Sequence, residues 1–235
     1  MFSADEMFAD RHDAGRQLAD ALMRFKPSGA VVLALPRGGV PVGFEVARAL
    51  GAPLDVVLVR KIGAPGHPEL GLGAVVDGHD PQLVLNEDVV AMVRPSDAYI
   101  KVEENRQLEE IDRRRKLYRD DRPGLDLEGR TVIVVDDGIA TGGTVKAVLK
   151  ALSRTGAAYL VLAVPVAPRD TLDEMRADVD EVVCLAVPEP FYAVGDHYAD
   201  FSQTSDREVV ELLRAAGPPS IATGPEGTVP RRRGG

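Results

Sequence analysis

The stretch Thr131–Lys150, TVIVVDDGIATGGTVKAVLK, decides how the rest of the chain is read. Val132 to Val135 are apolar and β-branched throughout, the pattern of a parallel strand covered on both faces, and Asp136 and Asp137 end the run. Gly138, Gly142 and Gly143 open backbone conformations closed to other residues, so main-chain N–H groups can converge on an anion. Val145, Val148 and Leu149 then restart apolar residues at helical spacing. An anion held here would lie at a helix N-terminus, where unpaired donors and the helix dipole favour negative charge.

Composition sets the outer bounds. A chain of 235 residues with 45% hydrophobic content can bury one good core, most simply as a single domain with excursions. A net charge of −9 argues against a general nucleic-acid binder while leaving room for a local basic site. Cys184 is the sole cysteine, so neither a disulfide framework nor a cysteine-rich zinc site can form within the chain, and a reducing cytoplasm fits. No apolar run approaches the roughly 18 residues that span a bilayer. The acidic start MFSADEMFADRHD is no signal peptide, so the expected location is cytoplasmic, with no membrane partner.

Working outward to the amino end, Asp10 to Phe25 carries Ala14, Leu18, Ala21, Leu22 and Phe25 on one helical face, ended by Pro27-Ser28-Gly29. Ala30 to Leu35 reads as a buried strand, PRGGVP at Pro36 to Pro41 as a turn into a helix, and Leu54 to Val59 as a second strand. This is the strand–helix–strand unit of α/β folds with a parallel sheet flanked by helices. Arg60 to Asn86, rich in Gly and Pro, is expected to be a flexible loop with two short β-like pieces, Gly73 to Val76 and Gln82 to Leu85. Ser96 and Asp97 can cap a helix running to about Tyr118, with Glu109–Arg113 and Glu110–Arg114 at the favourable i,i+4 spacing. Those pairs make the Arg113 to Lys116 run a solvated helix face rather than a nucleic-acid patch.

Toward the carboxyl end, Ala158 to Val166 and Glu181 to Ala186 supply two more strands, with a short helix near Thr171 to Arg176 between them and a last helix at Asp206 to Ala215. The irregular segment Pro188 to Ser205 gathers Phe191, Tyr192, Tyr198 and Phe201, which suits either a small satellite core or a stacking surface. His67 and His197 lie in polar turns without a second ligand at metal-site spacing. The domain is therefore placed at 1–216, with a loop at about 60–86 and a small C-terminal hood at about 187–205. The Gly- and Pro-rich tail 217–235, which ends in Arg231-Arg232-Arg233, is expected to be disordered.

The chemistry of the central stretch narrows quickly. A P-loop needs a Lys after its last Gly, but Gly143 is followed directly by Thr144. Neither a dinucleotide fingerprint nor a G-x-S-x-G elbow is present. VIVVDDGIATGGT closely resembles the phosphoribosyl pyrophosphate motif of type I phosphoribosyltransferases, departing from it at Gly138, where an aliphatic residue is usual. The wider resemblance runs from Phe8 to Leu213. It is to bacterial phosphoribosyltransferases that share LPRGGVPV, VRKIGAPGHPELGLGAV and VDDGIATGGT with a C-terminal VG-x-x-Y-x-DF-x-Q-x-S-D segment.

That resemblance implies a type I phosphoribosyltransferase fold with a flexible loop and a hood, and transfer of 5-phosphoribose from the Mg²⁺ complex of phosphoribosyl pyrophosphate to a nitrogenous base, with release of pyrophosphate. Asp136 and Asp137 would accept hydrogen bonds from the ribose hydroxyls and hold Mg²⁺ indirectly, through water or ribose. Gly138, Ile139, Ala140, Thr141, Gly142, Gly143 and Thr144 would cradle the 5′-phosphate, and Arg37, Gly38 and Gly39 the pyrophosphate. Arg60 and Lys61 would neutralise the leaving group.

The acceptor is a different matter, since Ala140 replaces the acid that serves as base in hypoxanthine-guanine enzymes, and the turn looks more like adenine phosphoribosyltransferase. Glu69 in PELGLG is then the candidate proton acceptor. The aromatic segment is instead similar to the hood of the hypoxanthine-guanine group, in which Phe191 or Tyr192 would stack on a purine. The resemblance implies no nucleic-acid partner and a pairing of two copies through the core. A regulatory sensor that only binds the donor, and a hydrolase that passes the sugar to water, remain alternatives.

Overall fold

The β-branched runs form one parallel sheet in a computed structural model of the chain, which describes residues 7–78, 81–119 and 124–217. From the amino end come helix α1 (Arg11–Leu22), a 3-10 segment (Met23–Ser28), strand β1 (Val31–Ala34), helix α2 (Gly39–Leu50) and strand β2 (Leu54–Val56). Strands β3 (Val59–Ala64), β4 (His67–Val76) and β5 (Gln82–Leu85) follow, then helices α3 (Glu87–Val93) and α4 (Asp97–Arg119). The second half runs β6 (Thr131–Val135), α5 (Gly143–Leu152), β7 (Tyr159–Val166), α6 (Arg169–Met175), β8 (Glu181–Ala186) and α7 (Asp206–Ala215). Side-chain caps start several helices: Asp10 accepts from the Asp13 amide at 2.7 Å, Ser96 from Tyr99 at 3.2 Å and Ser205 from Glu208 at 3.2 Å. Each such cap is worth about 1 kcal/mol.

The five-stranded sheet has the order β2-β1-β6-β7-β8 with every pair parallel. Its residues alternate between two apolar layers: Val32, Ala34, Ile133 and Val135 pack with α1, α2 and α7, whereas Val31, Leu33, Val132 and Val134 pack with α5 and α6. From β1 the chain moves outward to β2, and the second half returns to β1's other side as β6 and continues away. The loops after β1 and β6 therefore diverge at the carboxyl edge and leave a crevice between them, the usual ligand position in open α/β sheets.

The segment 60–86, expected as a flexible loop, is instead an antiparallel sheet in the order β3-β4-β5 that springs from the same edge, just after β2. Arg60 pairs with Val75 and Lys61 with Ala74 across β3 and β4. Its glycines mark close strand approach: a Cβ on Gly63 would run into the Pro68 backbone, and one on Gly73 into the Val84 carbonyl. The register shifts on both sides of Gly63, as at a bulge. Helix α4 braces both sheets. The buried Asp77, just beyond β4, pairs with Arg115 and with Arg119, whose Nε also donates to Asp55 Oδ1 on β2 at 2.8 Å. Removing one partner from such a buried network costs about 3–5 kcal/mol.

Two smaller differences concern helices. Helix α3, not foreseen, is capped by Asn86, whose Oδ1 accepts from the Val89 amide. On α4, Glu110 takes both Arg113 and Arg114, and their hydrogen bonds hold its carboxyl down at about 2; Glu109 does not join the pair foreseen for it. The tail from residue 218 onward, expected to be disordered and including the Arg231–Arg233 run, lies outside the described residues.

Candidate active site

The crevice is closed at its base by two turns that touch. The turn after β1 brings Gly38 so near the Asp137 carboxylate that a Cβ at 38 would overlap it, and a Cβ at Gly39 would lie 2.8 Å from the Val135 carbonyl. Only glycine fits at either position. The Pro36–Arg37 peptide is cis, and α2 begins directly after it at Gly39. Arg37, Gly38 and Gly39 are thereby brought against Asp136 and Asp137, residues about a hundred positions apart in the chain.

The two acids are unequally placed. The Asp137 amide donates to Asp136 Oδ1 at 2.9 Å, and Arg11 Nε donates to Asp137 Oδ2 at 2.7 Å. Burial pushes the Asp136 carboxyl well above the usual carboxylate range, and the charge of Asp137 adds to the effect. Burial also raises Asp137, but there the Arg11 guanidinium pulls the other way. The Tyr198 hydroxyl donates to the Asp137 carbonyl at 2.6 Å, and burial keeps that phenol protonated.

The glycine turn after Asp137 offers fewer donors than the sequence suggests. Of the amides at 139 to 143, that of Ile139 is already committed to the Val166 carbonyl at 3.0 Å. Among the described residues the amides of 140 to 142 have no backbone partner, and they are joined by those of the first turn of α5, which starts after Gly142 at φ +71°. Gly138 does not loosen the turn by lacking an aliphatic side chain, because Val194 from the hood fills the space its Cβ would take. Ala140 is exposed, and its carbonyl accepts from Thr171 Oγ1 at 2.8 Å.

The other expected residues fall into place unevenly. Neighbouring residues on a strand face opposite ways, so Arg60 and Lys61 leave β3 on opposite faces. Arg60 Nε is turned to Gln107 Oε1 on α4 at 3.1 Å, while Lys61 is exposed. Glu69 lies in the exposed outer part of β4, and no hydrogen bond or ion pair joins it or Lys61 to the acids among the described residues. In the hood, Phe191 packs beside His197 at 5.5 Å between ring centroids and belongs to a satellite core with Phe8 and Tyr198, while Tyr192 is 82% exposed. Phe191 thus belongs to the satellite core, and Tyr192 is left open to solvent. Arg37 Nη1 stands 4.0 Å from Asp206 at the start of α7.

Arg11 and Tyr198 hydrogen-bond to Asp137, Val194 packs at Gly138 and Phe201 packs on Arg11, none of them singled out as site residues. The available signal was physical rather than motif-based: two adjacent acids at the end of a buried strand call for a nearby cation.

Among the described residues no group of three or more His, Cys, Asp or Glu could cage a metal ion. Two carboxylates, each with one oxygen hydrogen-bonded within the protein, fit Mg²⁺ that keeps most of its water and is held in part by a substrate's own oxygens. A separate cavity of about 400 Å³ opens at the opposite edge of the sheet, between Phe25, Phe44, Leu50 and Ala216. Its Lys26 and Arg130 donate to the Ala49 and Gly29 carbonyls, at the carboxyl ends of α2 and of the 3-10 segment.

Comparison with known proteins agrees with this geometry. Residues 6–200 match the family model described as the phosphoribosyl transferase domain. Over 211 residues the chain is 50% identical to Rv0571c of Mycobacterium tuberculosis, which bears a phosphoribosyl transferase name; the match covers 90% of this chain and 47% of that protein. The chain thus spans about half the length of that relative. An adenine phosphoribosyltransferase of Rhodococcus opacus is 28% identical over 67% of this chain and 68% of its own length. The crystal structure of TT1426 from Thermus thermophilus superposes with a TM-score of 0.77 at 45% identity, covering 88% of this chain and 97% of that one. On the match over residues 6–200, the chain belongs to the phosphoribosyl transferase domain family.

Proposed function

We propose that the protein transfers 5-phosphoribose from phosphoribosyl pyrophosphate to a purine-like nitrogenous base and releases pyrophosphate. The observation that carries this reading is the contact of Gly38 with Asp137, which sets a glycine turn, two acids and a helix N-terminus around one crevice. Asp136 and Asp137 accept the ribose hydroxyls, and the amides at the start of α5, with Thr141 and Thr144, hold the 5′-phosphate. Arg37, Gly38 and Gly39 receive the pyrophosphate.

In the reaction the C1–O bond to pyrophosphate breaks, an oxocarbenium-like sugar forms, and a ring nitrogen of the base closes on C1. Lys61 neutralises the departing pyrophosphate as the β3–β4 hairpin folds over the crevice, and closure keeps water from the activated sugar. Glu69 takes the proton the base gives up, and Tyr192 offers the base an open π face. Mg²⁺ bound with the donor supplies Lewis-acid neutralisation of the pyrophosphate oxygens. The match to the Rhodococcus opacus enzyme and the absence of an acid at Ala140 both favour an adenine-like acceptor.

The test is pyrophosphate release from the donor with Mg²⁺ and a panel of bases. Release that depends on a purine is expected. Release without any base would identify a hydrolase, and tight donor binding without release would identify a sensor.

A further inference from the structure

Arg11 is 126 positions from Asp137 and lies outside every motif quoted above, yet three parts of the chain meet on its side chain. Nε donates to Asp137 Oδ2 at 2.7 Å, Nη1 donates to the Ser202 carbonyl at 2.6 Å, and the guanidinium carbon lies 3.9 Å from the Phe201 ring centroid. Because a guanidinium is planar and its donors are fixed in direction, these contacts define its position. The anchor points are themselves tied down. Phe201 packs on Tyr198, Tyr198 packs on Phe8, and the backbone at 7–9 is hydrogen-bonded to that at 197–200.

The consequence falls on Asp137. Its Oδ2 is held by Arg11 on one side and packed against Gly38 on the other, and the neighbouring Asp136 carboxyl also hydrogen-bonds to the Asp137 carboxylate. With Oδ2 tied to Arg11, the plane of the carboxylate is set before a ligand arrives. We propose that Arg11 is a positioning residue of the donor site: it fixes the Asp137 carboxylate so that Oδ1 accepts a ribose hydroxyl, and it makes the order of the hood around Phe201 part of donor affinity. This rests on the reading of Asp136 and Asp137 as the ribose acceptors. A purely structural tie between the amino end and the hood would lower the melting temperature and leave donor affinity alone.

The experiment is calorimetric titration of phosphoribosyl pyrophosphate with Mg²⁺ into the wild type, Arg11→Ala, Arg11→Lys and Phe201→Leu, at a temperature where circular dichroism shows each to be folded. Loss of a charge-assisted contact predicts donor binding weaker by about tenfold to a hundredfold in Arg11→Ala. A smaller loss is expected in Phe201→Leu, and Arg11→Lys falls between Ala and wild type, since an ammonium cannot make the stack and both directed bonds at once. Wild-type affinity in a folded Arg11→Ala overturns the inference and leaves the site reading intact. If Arg11→Ala does not fold, wild-type affinity in both Arg11→Lys and Phe201→Leu overturns it. A wild type that binds no donor overturns the site reading and this inference together.

Discussion

The parallel and antiparallel sheets meet at one edge, but the antiparallel one is buried only along part of its strands. Every residue of β1 and β6 is buried, whereas the first five residues of β4, His67 to Gly71, are exposed. The difference separates two tasks. Groups that must be held to a fraction of an ångström, Gly38, Asp136 and Asp137, sit at the ends of strands fixed from both faces. Of the groups the proposed reaction brings in late, Glu69 sits on the exposed outer part of the β3–β4 hairpin, where local opening costs little, while Lys61 projects to solvent from its buried base beside Ile62 and Ala74.

The most severe way to break this arrangement is Gly38→Ala. Its methyl group needs the space of the Asp137 carboxylate, so donor binding measured by calorimetry should fall by more than about a hundredfold, beyond the loss of one charged hydrogen bond. Next comes a paired stability test. Ile133→Ala, at a fully buried site in β6, should cost about 2–5 kcal/mol in urea unfolding. Leu70→Ala, at a position 37% exposed on β4, should cost less than about 0.5 kcal/mol. Equal costs would erase the contrast between the sheets.

Lys61→Ala addresses the catalytic side of the same contrast. Turnover should drop by about tenfold to a hundredfold with donor affinity nearly unchanged. Equal losses in both would make the hairpin a binding element only. A modest effect of opposite sign on stability is expected from Asp136→Asn. The amide oxygen can still accept from the Asp137 amide, and the cost of placing a second buried charge beside Asp137 disappears. Thermal stability should rise by about 1 kcal/mol while donor binding weakens.

How much of this was legible in the sequence follows from how local each signal is. Strands β1, β6, β7 and β8 and helix α7 announce themselves by apolar runs and periodicity, and the glycine turn after Asp137 by its spacing. The β3–β4 hairpin was hidden because Gly63, Gly71 and Gly73 look like loop residues, when the close crossing of the strands excludes a side chain at Gly63 and Gly73. The separation of Arg60 from Lys61 becomes readable only once that segment is known to be a strand. Arg11 carries no local signal at all, since its role depends on a carboxylate 126 positions away. The substitution of Val194 for the side chain missing at Gly138 is likewise a tertiary fact.

The central claim is that the crevice between β1 and β6 binds phosphoribosyl pyrophosphate through Asp137. Titrating the donor with Mg²⁺ into the wild type and Asp137→Asn tests it most directly. Saturable binding to the wild type and at least about tenfold weaker binding to the folded variant are expected. Equal affinity in the two proteins would contradict it.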